Sequence, residues 1–170
     1  MVVSIAINKA LNKFLPEGLK VKWPNDVYFE AQKIGGVLIE NTIVGSKLKT
    51  SVIGVGINVN QVHFDEKLAA KASSLFQILQ RNVNLLELLA EICKQIEYLY
   101  LQLRTGNYTG IRSVYIEMLY KMSKPSLYRQ NGEVFEGVIT GVSDLGLLQM
   151  DRQGLKQEFN FKEIEFLNLI

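Results

Sequence analysis

Three short stretches carry residue types that could do chemistry: K-W-P-N-D at Lys22–Asp26, Q-K-I-G-G at Gln32–Gly36, and V-I-G-V-G-I-N at Val52–Asn58. In the first, an amide (Asn25) and an acid (Asp26) follow Pro24, where an alternating strand must stop because proline removes a donor and fixes φ. Asn and Asp also suit a plain turn, since both hydrogen-bond their own backbone and tolerate unusual φ. In the second, Lys33 is a compact ammonium of the kind that neutralises charge developing on oxygen, although a lone lysine opening a strand is ordinarily solvated surface. In the third, Gly54 and Gly56 sit at alternate positions of a β-branched run. Something approaches that face closely, either a ligand or a tightly packed helix.

Composition removes several other chemistries. The 170 residues hold one histidine, His63, and one cysteine, Cys93. No His-based triad and no His/Cys zinc site can be assembled from these, and an internal disulfide is excluded. The single thiol, read as buried within the helix around it, fits a reducing cytoplasm. The net charge of +2 comes without a basic stripe, so nucleic acid is not expected as a partner. No apolar run reaches the roughly 20 residues a bilayer span needs, so no membrane insertion is expected.

The elements that must position the three stretches can be read from periodicity. Val3, Ile7, Ala10, Leu11 and Phe14 recur at helical spacing, with Asn8, Lys9, Asn12 and Lys13 on other faces. Leu19, Val21 and Trp23 alternate with Lys20 and Lys22 as a half-buried strand. Further strands are expected at Ile34–Glu40 and Thr50–Asn60, giving a three-stranded antiparallel meander with the first helix on one face. Helices are predicted near 72–80, 85–103 and 111–120, their Leu, Ile and Tyr stripes forming core. From Pro125 the pattern becomes short strands separated by Asn131-Gly132, Asp144-Leu145-Gly146 and Arg152-Gln153-Gly154, which suggests a small SH3-like barrel. The expected fold is therefore α+β: a mixed or antiparallel sheet with flanking helices over 1–122, followed by the SH3-like domain over 123–170.

In this order, the KWPND strand end, the KIGGVLIE strand and the GVGIN strand resemble the biotin–protein ligase family, in its class II synthetase-like catalytic domain. The resemblance implies a reaction in which biotin attacks the α-phosphate of ATP to give biotinyl-5′-adenylate. A lysine of a biotin carboxyl carrier domain then displaces AMP. ATP with Mg2+ and biotin are thus implied as substrates, with no tightly bound cofactor. On the matching positions, Lys33 would reach the biotin carboxylate and the α-phosphate, with Asn25 and Asp26 lining the reacting centre. Asp26 could orient the incoming lysine, take its proton or help hold a magnesium ion. Gly35, Gly36, Gly54 and Ile57 would border biotin, while Asn58 and Gly56 would border the nucleotide. Trp23 is expected as core beneath the site.

One departure from the family pattern shapes the remaining expectations. No segment resembling the family's G-R-G-R-x-G-R loop is found, and Arg81, Arg104, Arg112, Arg129 and Arg152 are scattered after the motifs. The chain therefore reads as starting partway through the catalytic domain, with an open sheet edge. The alternatives are a catalytically incomplete module that binds a partner or forms a homodimer through that edge, and a lipoate–protein ligase.

Overall fold

The computed structural model describes residues 1–15 and 17–167, which form an α+β fold with two antiparallel sheets. Helix α1 (Val2–Leu11) is buried on nearly every face, Ser4 and Asn8 included. A helix this apolar belongs inside rather than on a surface, so the polar outer face expected at Asn8 is not present. It packs chiefly on the long helix α4 (Leu85–Arg104).

The first sheet is a meander of four strands, one more than expected: β1 (Leu19–Lys22), β2 (Asp26–Phe29), β3 (Gln32–Val44) and β4 (Lys47–Ile57). The added strand is β2. Trp-Pro-Asn is the connection of a β1–β2 hairpin whose register sets Lys22 opposite Asp26. The Trp23–Pro24 peptide bond is cis. Leu19, Val21 and Val27 bury one face of the sheet with α1. Because directly paired residues leave the same face, Asp26, Gly36 and Gly56 share the opposite one. From Lys47 to Gly56, β4 is exposed throughout and has a strand neighbour, β3, on one side only among the described residues.

The helical segment departs from expectation in detail. α2 (Glu66–Ala69) is additional, and α3 (Leu75–Leu79) begins only at Leu75, with the Ser74 side chain accepting from Gln77 N. α4 starts at an Asn84 cap that accepts from Leu86 and Glu87, and α5 (Tyr108–Glu117) starts at Asn107. Leu88, Ile92 and Leu99 of α4 are core, but Leu86, Leu89, Tyr98, Tyr100 and Leu101 are exposed, so the apolar stripes are buried only in part. Cys93 is exposed as well, contrary to the buried thiol expected.

The second sheet holds β5 (Pro125–Gln130), β6 (Glu133–Val142), β7 (Leu148–Arg152), β8 (Leu155–Phe159) and β9 (Glu165–Phe166), in the order β8-β7-β6-β5-β9. It is an open sheet with β8 and β9 at its edges, not the closed barrel expected. Its inner face packs on the first part of the chain: Tyr128, Ile139 and Met150 share one core with Val21, Trp23 and Tyr115. Trp23 is core, as expected, and its indole Nε1 donates to Gly146 O at 3.0 Å, which ties the hairpin to the second sheet.

Candidate active site

The hairpin is held in place from three directions. The buried Tyr115 hydroxyl of α5 donates to Pro24 O at 2.9 Å. The Asn25 side chain donates to Val37 O, and Val37 N donates back to Asn25 O. Asn25 is thus a clamp that fixes the turn to β3, and with the turn it fixes the residue that follows. That residue, Asp26, forms an ion pair with Lys33, Nζ to Oδ1 2.6 Å. Lys33 is located by its backbone: its N–H donates to Lys71 O and its carbonyl accepts from Ser73 N. A register shift between Val27 and Tyr28 turns the Lys33 side chain onto the face of Asp26.

Beside this pair, three glycines line up across the strands on the same face. Gly36 pairs with Asp26 and Gly56, and Gly54 pairs with Leu38. A Cβ at Gly56 would meet nothing within 4 Å, and the atoms nearest one at Gly36 would be Asp26 Oδ1 and the end of the Lys33 side chain. Among the described residues no helix packs there, so the alternation of Gly54 and Gly56 leaves free space. The result is an open depression of ≈ 470 Å³ lined by Asn25, Asp26, Lys33, Gly36, Gly54 and Gly56. Gly35 has another reason to be glycine, because a Cβ there would stand 2.7 Å from Gly56 O. Gly35 and Ile57 pair on the core-facing side and do not border the depression. Asn58 lies beyond the rim, where its amide donates to Ser73 O at 3.0 Å and its carbonyl accepts from Leu75 N.

Two further residues face the pair. Tyr28 stands opposite Lys33 in the β2–β3 ladder, and Lys22 stands opposite Asp26 in the β1–β2 ladder. The Lys22 ammonium donates to Tyr28 Oη at 3.1 Å and lies 5.0 Å from the ring centres of both Tyr28 and Phe166. Burial is the main cause holding Lys22 below the ordinary lysine range; Asp26 draws it back up and Lys33 lowers it further. Burial and Asp26 both raise the Tyr28 phenol. Alternation alone put Lys22 off the core face. Its partners were out of reach of sequence reasoning because they depend on β2, which was not anticipated.

A larger cavity of ≈ 910 Å³ lies on the opposite face, among Met1, Ile39, Leu48, Tyr100, Ile111 and Arg112. It is mostly apolar, and neither Lys33 nor Asp26 borders it, so the smaller depression is the place for chemistry. Among the described residues no three His, Cys, Asp or Glu side chains come together as a metal site. The depression offers one carboxylate, Asp26, already paired with Lys33. That donor set does not fit a resident magnesium ion.

Residues 1–58 match the model of the biotin/lipoate A/B protein ligase family. The bifunctional ligase/repressor BirA of Bacillus subtilis is 24% identical over 163 residues, which is 94% of this chain and 50% of that protein. The biotin–[acetyl-CoA-carboxylase] ligase of Paracoccus denitrificans is 24% identical over 151 residues, 87% of this chain and 63% of that one. Over most of its length the chain is therefore similar to biotin–protein ligases. It spans about half the length of the Bacillus subtilis relative. The biotin protein ligase from Aquifex aeolicus in complex with biotin and ATP aligns with a TM-score of 0.80 at 23% identity, over 99% of this chain and 70% of that one. At that identity the likeness is one of fold. It extends over both sheets, so the open second sheet falls within the shared architecture.

Proposed function

We propose that this chain carries the reacting centre of ATP-dependent biotin attachment to a lysine of a biotin carboxyl carrier domain. The observation that carries the reading is the Lys33–Asp26 ion pair at the edge of a floor made of Gly36, Gly54 and Gly56. The match of residues 1–58 to the biotin/lipoate ligase family model, and the likeness to the Bacillus subtilis relative, support it.

In the first step, a biotin carboxylate oxygen bonds to the α-phosphorus of ATP and pyrophosphate leaves. Two anions must be brought together, and the reaction gains most from a fixed positive charge between them. Lys33 supplies that charge. The glycine floor lets the flat parts of the adenylate lie against the sheet backbone, which any Cβ would prevent. In the second step, the carrier lysine amine attacks the biotinyl carbonyl and AMP leaves, with Lys33 now stabilising charge on the departing phosphate. Asp26, adjacent to Lys33, is placed to orient the incoming ammonium and accept its proton. Asn58 would present its amide oxygen to the adenine edge. Magnesium enters with ATP, as part of the substrate. We also read residues 1–122 as the catalytic unit and 123–170 as an SH3-like unit, supported by the start of the second sheet at Pro125.

The test is biotin-dependent exchange of labelled pyrophosphate into ATP, which needs no carrier. The parent chain should catalyse exchange with biotin and not with lipoate. Lys33→Ala should lower it by about 10²-fold or more. Exchange supported equally by lipoate, or unchanged in Lys33→Ala, would refute the proposal.

A further inference from the structure

We propose that Lys22 is a positioning residue for the Lys33–Asp26 pair, and that through it the C-terminal sheet acts on the reacting centre. The inference rests on the ligase reading for its catalytic consequence and on geometry alone for its structural one.

Lys22 and Asp26 are direct partners in the β1–β2 ladder. Their side chains leave one face with Cβ atoms about 5 Å apart. Ordinarily a lysine at such a site extends its amine into water. Here the ammonium is retained between two aromatic rings, Tyr28 of β2 and Phe166 of β9, each centred 5.0 Å away, and bonded to Tyr28 Oη. Cation–π attraction of this kind strengthens as the cation loses water. Lys22 has no ion-pair partner within 4.0 Å among the described residues; of the carboxylates that act on it Asp26 acts most strongly, with Glu165 of β9 after it. β9 is anchored beside Lys22: Phe166 pairs with Tyr128 of β5, their ring centres 5.2 Å apart, and Lys121 Nζ donates to Leu167 O at 2.9 Å.

Asp26 therefore stands between two cations, with Lys33 in contact and Lys22 fixed across the ladder. Sharing one carboxylate between them keeps Lys33 from being fully neutralised and leaves it available to an anionic substrate. Removing Lys22, or the Phe166 ring that retains it, lets Asp26 close wholly on Lys33. This gives the second sheet a chemical role besides bracing.

The experiment compares the parent chain with Lys22→Met, Lys22→Arg and Phe166→Leu. One measurement is NMR of the Lys33 side-chain ammonium, which does not depend on turnover. In Lys22→Met the Lys33 amine protons should exchange with water about threefold or more slowly, reporting a tighter pair. Phe166→Leu should shift them the same way by less, and Lys22→Arg, which keeps the positive charge, should stay nearer the parent than Lys22→Met does. The second measurement is the pyrophosphate exchange assay. Lys22→Met should lower kcat about tenfold with KM for biotin and ATP within about twofold, and Lys22→Arg should restore most of it. A Lys33 signal unaltered in Lys22→Met overturns the proposal. A signal altered there but unaltered in Phe166→Leu overturns the role of the second sheet. If Lys22→Met does not fold, Phe166→Leu decides the matter: a Lys33 signal unaltered there overturns the proposal. A parent chain inactive in exchange counts against the ligase reading, while the NMR comparison still decides this one.

Discussion

Two neighbouring glycines, paired through the same stretch of ladder, should respond to substitution in opposite ways. A side chain at Gly56 enters open space above the depression, whereas a Cβ at Gly35 would lie 2.7 Å from the carbonyl oxygen of Gly56. That oxygen belongs to the backbone of the paired strand and cannot rotate away. Gly35→Ala should therefore force β3 and β4 apart, at a cost in the range of overpacking, about 1–3 kcal/mol. For a chain of this size each kcal/mol moves Tm by about 2–4 °C, so a fall of about 2–12 °C is expected. Gly56→Val should instead raise Tm slightly. It replaces the residue least suited to a strand with one of the best, worth up to about 1 kcal/mol. The same valine occupies the floor on which the adenylate is proposed to rest. Binding of a non-hydrolysable biotinyl-adenylate analogue, followed by calorimetry, should weaken by about 2–3 kcal/mol, or roughly 30- to 150-fold. The pair of measurements separates a glycine kept for packing from one kept for a ligand. The reasoning is refuted if Gly56→Val binds the analogue as the parent does, or if Gly35→Ala melts with the parent.

Tyr115→Phe leaves the Pro24 carbonyl without its donor and should lower stability by about 1 kcal/mol in urea unfolding. Because the Asp26 hairpin then loosens, kcat for pyrophosphate exchange should fall while both KM values stay near the parent's. Equal stability and equal kcat would show that the hydroxyl does not hold the turn. Glu91, buried on α4, is kept below the usual carboxylate range first by its hydrogen bond from Lys13, then by Gln95, against the opposing effect of burial. A depressed folded value means the stabilisation is complete above the unfolded carboxylate pKa of about 4.3 and disappears as pH falls below it. The stability advantage of the parent over Glu91→Gln should therefore be present at neutral pH and vanish in acid; an advantage independent of pH would contradict the assignment.

The site was more legible in the sequence than the fold around it. Asp26, Lys33 and the alternate glycines carry their signal in residue type and spacing, and the structure brings them to one face of one sheet. β2 was missed because Asp26–Phe29 follows a proline turn directly, where Asn25 and Asp26 read as the turn itself. The continuation of β3 through Asn41 to Val44 was missed for another reason. Its side chains are exposed, so no inside–outside pattern exists to mark it. On α4, a stripe of Leu and Tyr says that a face is apolar but not what covers it, and much of that face is open here. The C-terminal turns gave the strand breaks correctly. Closure of a barrel, however, depends on pairing between the two edge strands of the sheet, and among the described residues β8 and β9 do not pair. Lys22 shows the same limit at the site: its meaning comes from Asp26 across the hairpin and Phe166 from the far end of the chain.

The central claim is that the adenylate lies on the glycine floor beside Lys33. A crystal structure of the chain with a non-hydrolysable biotinyl-adenylate analogue tests it most directly. The account predicts density over Gly36, Gly54 and Gly56, with Lys33 Nζ within hydrogen-bond distance of the phosphate mimic. An analogue bound instead in the apolar cavity between Ile39, Leu48 and Tyr100, or away from Lys33, would contradict it.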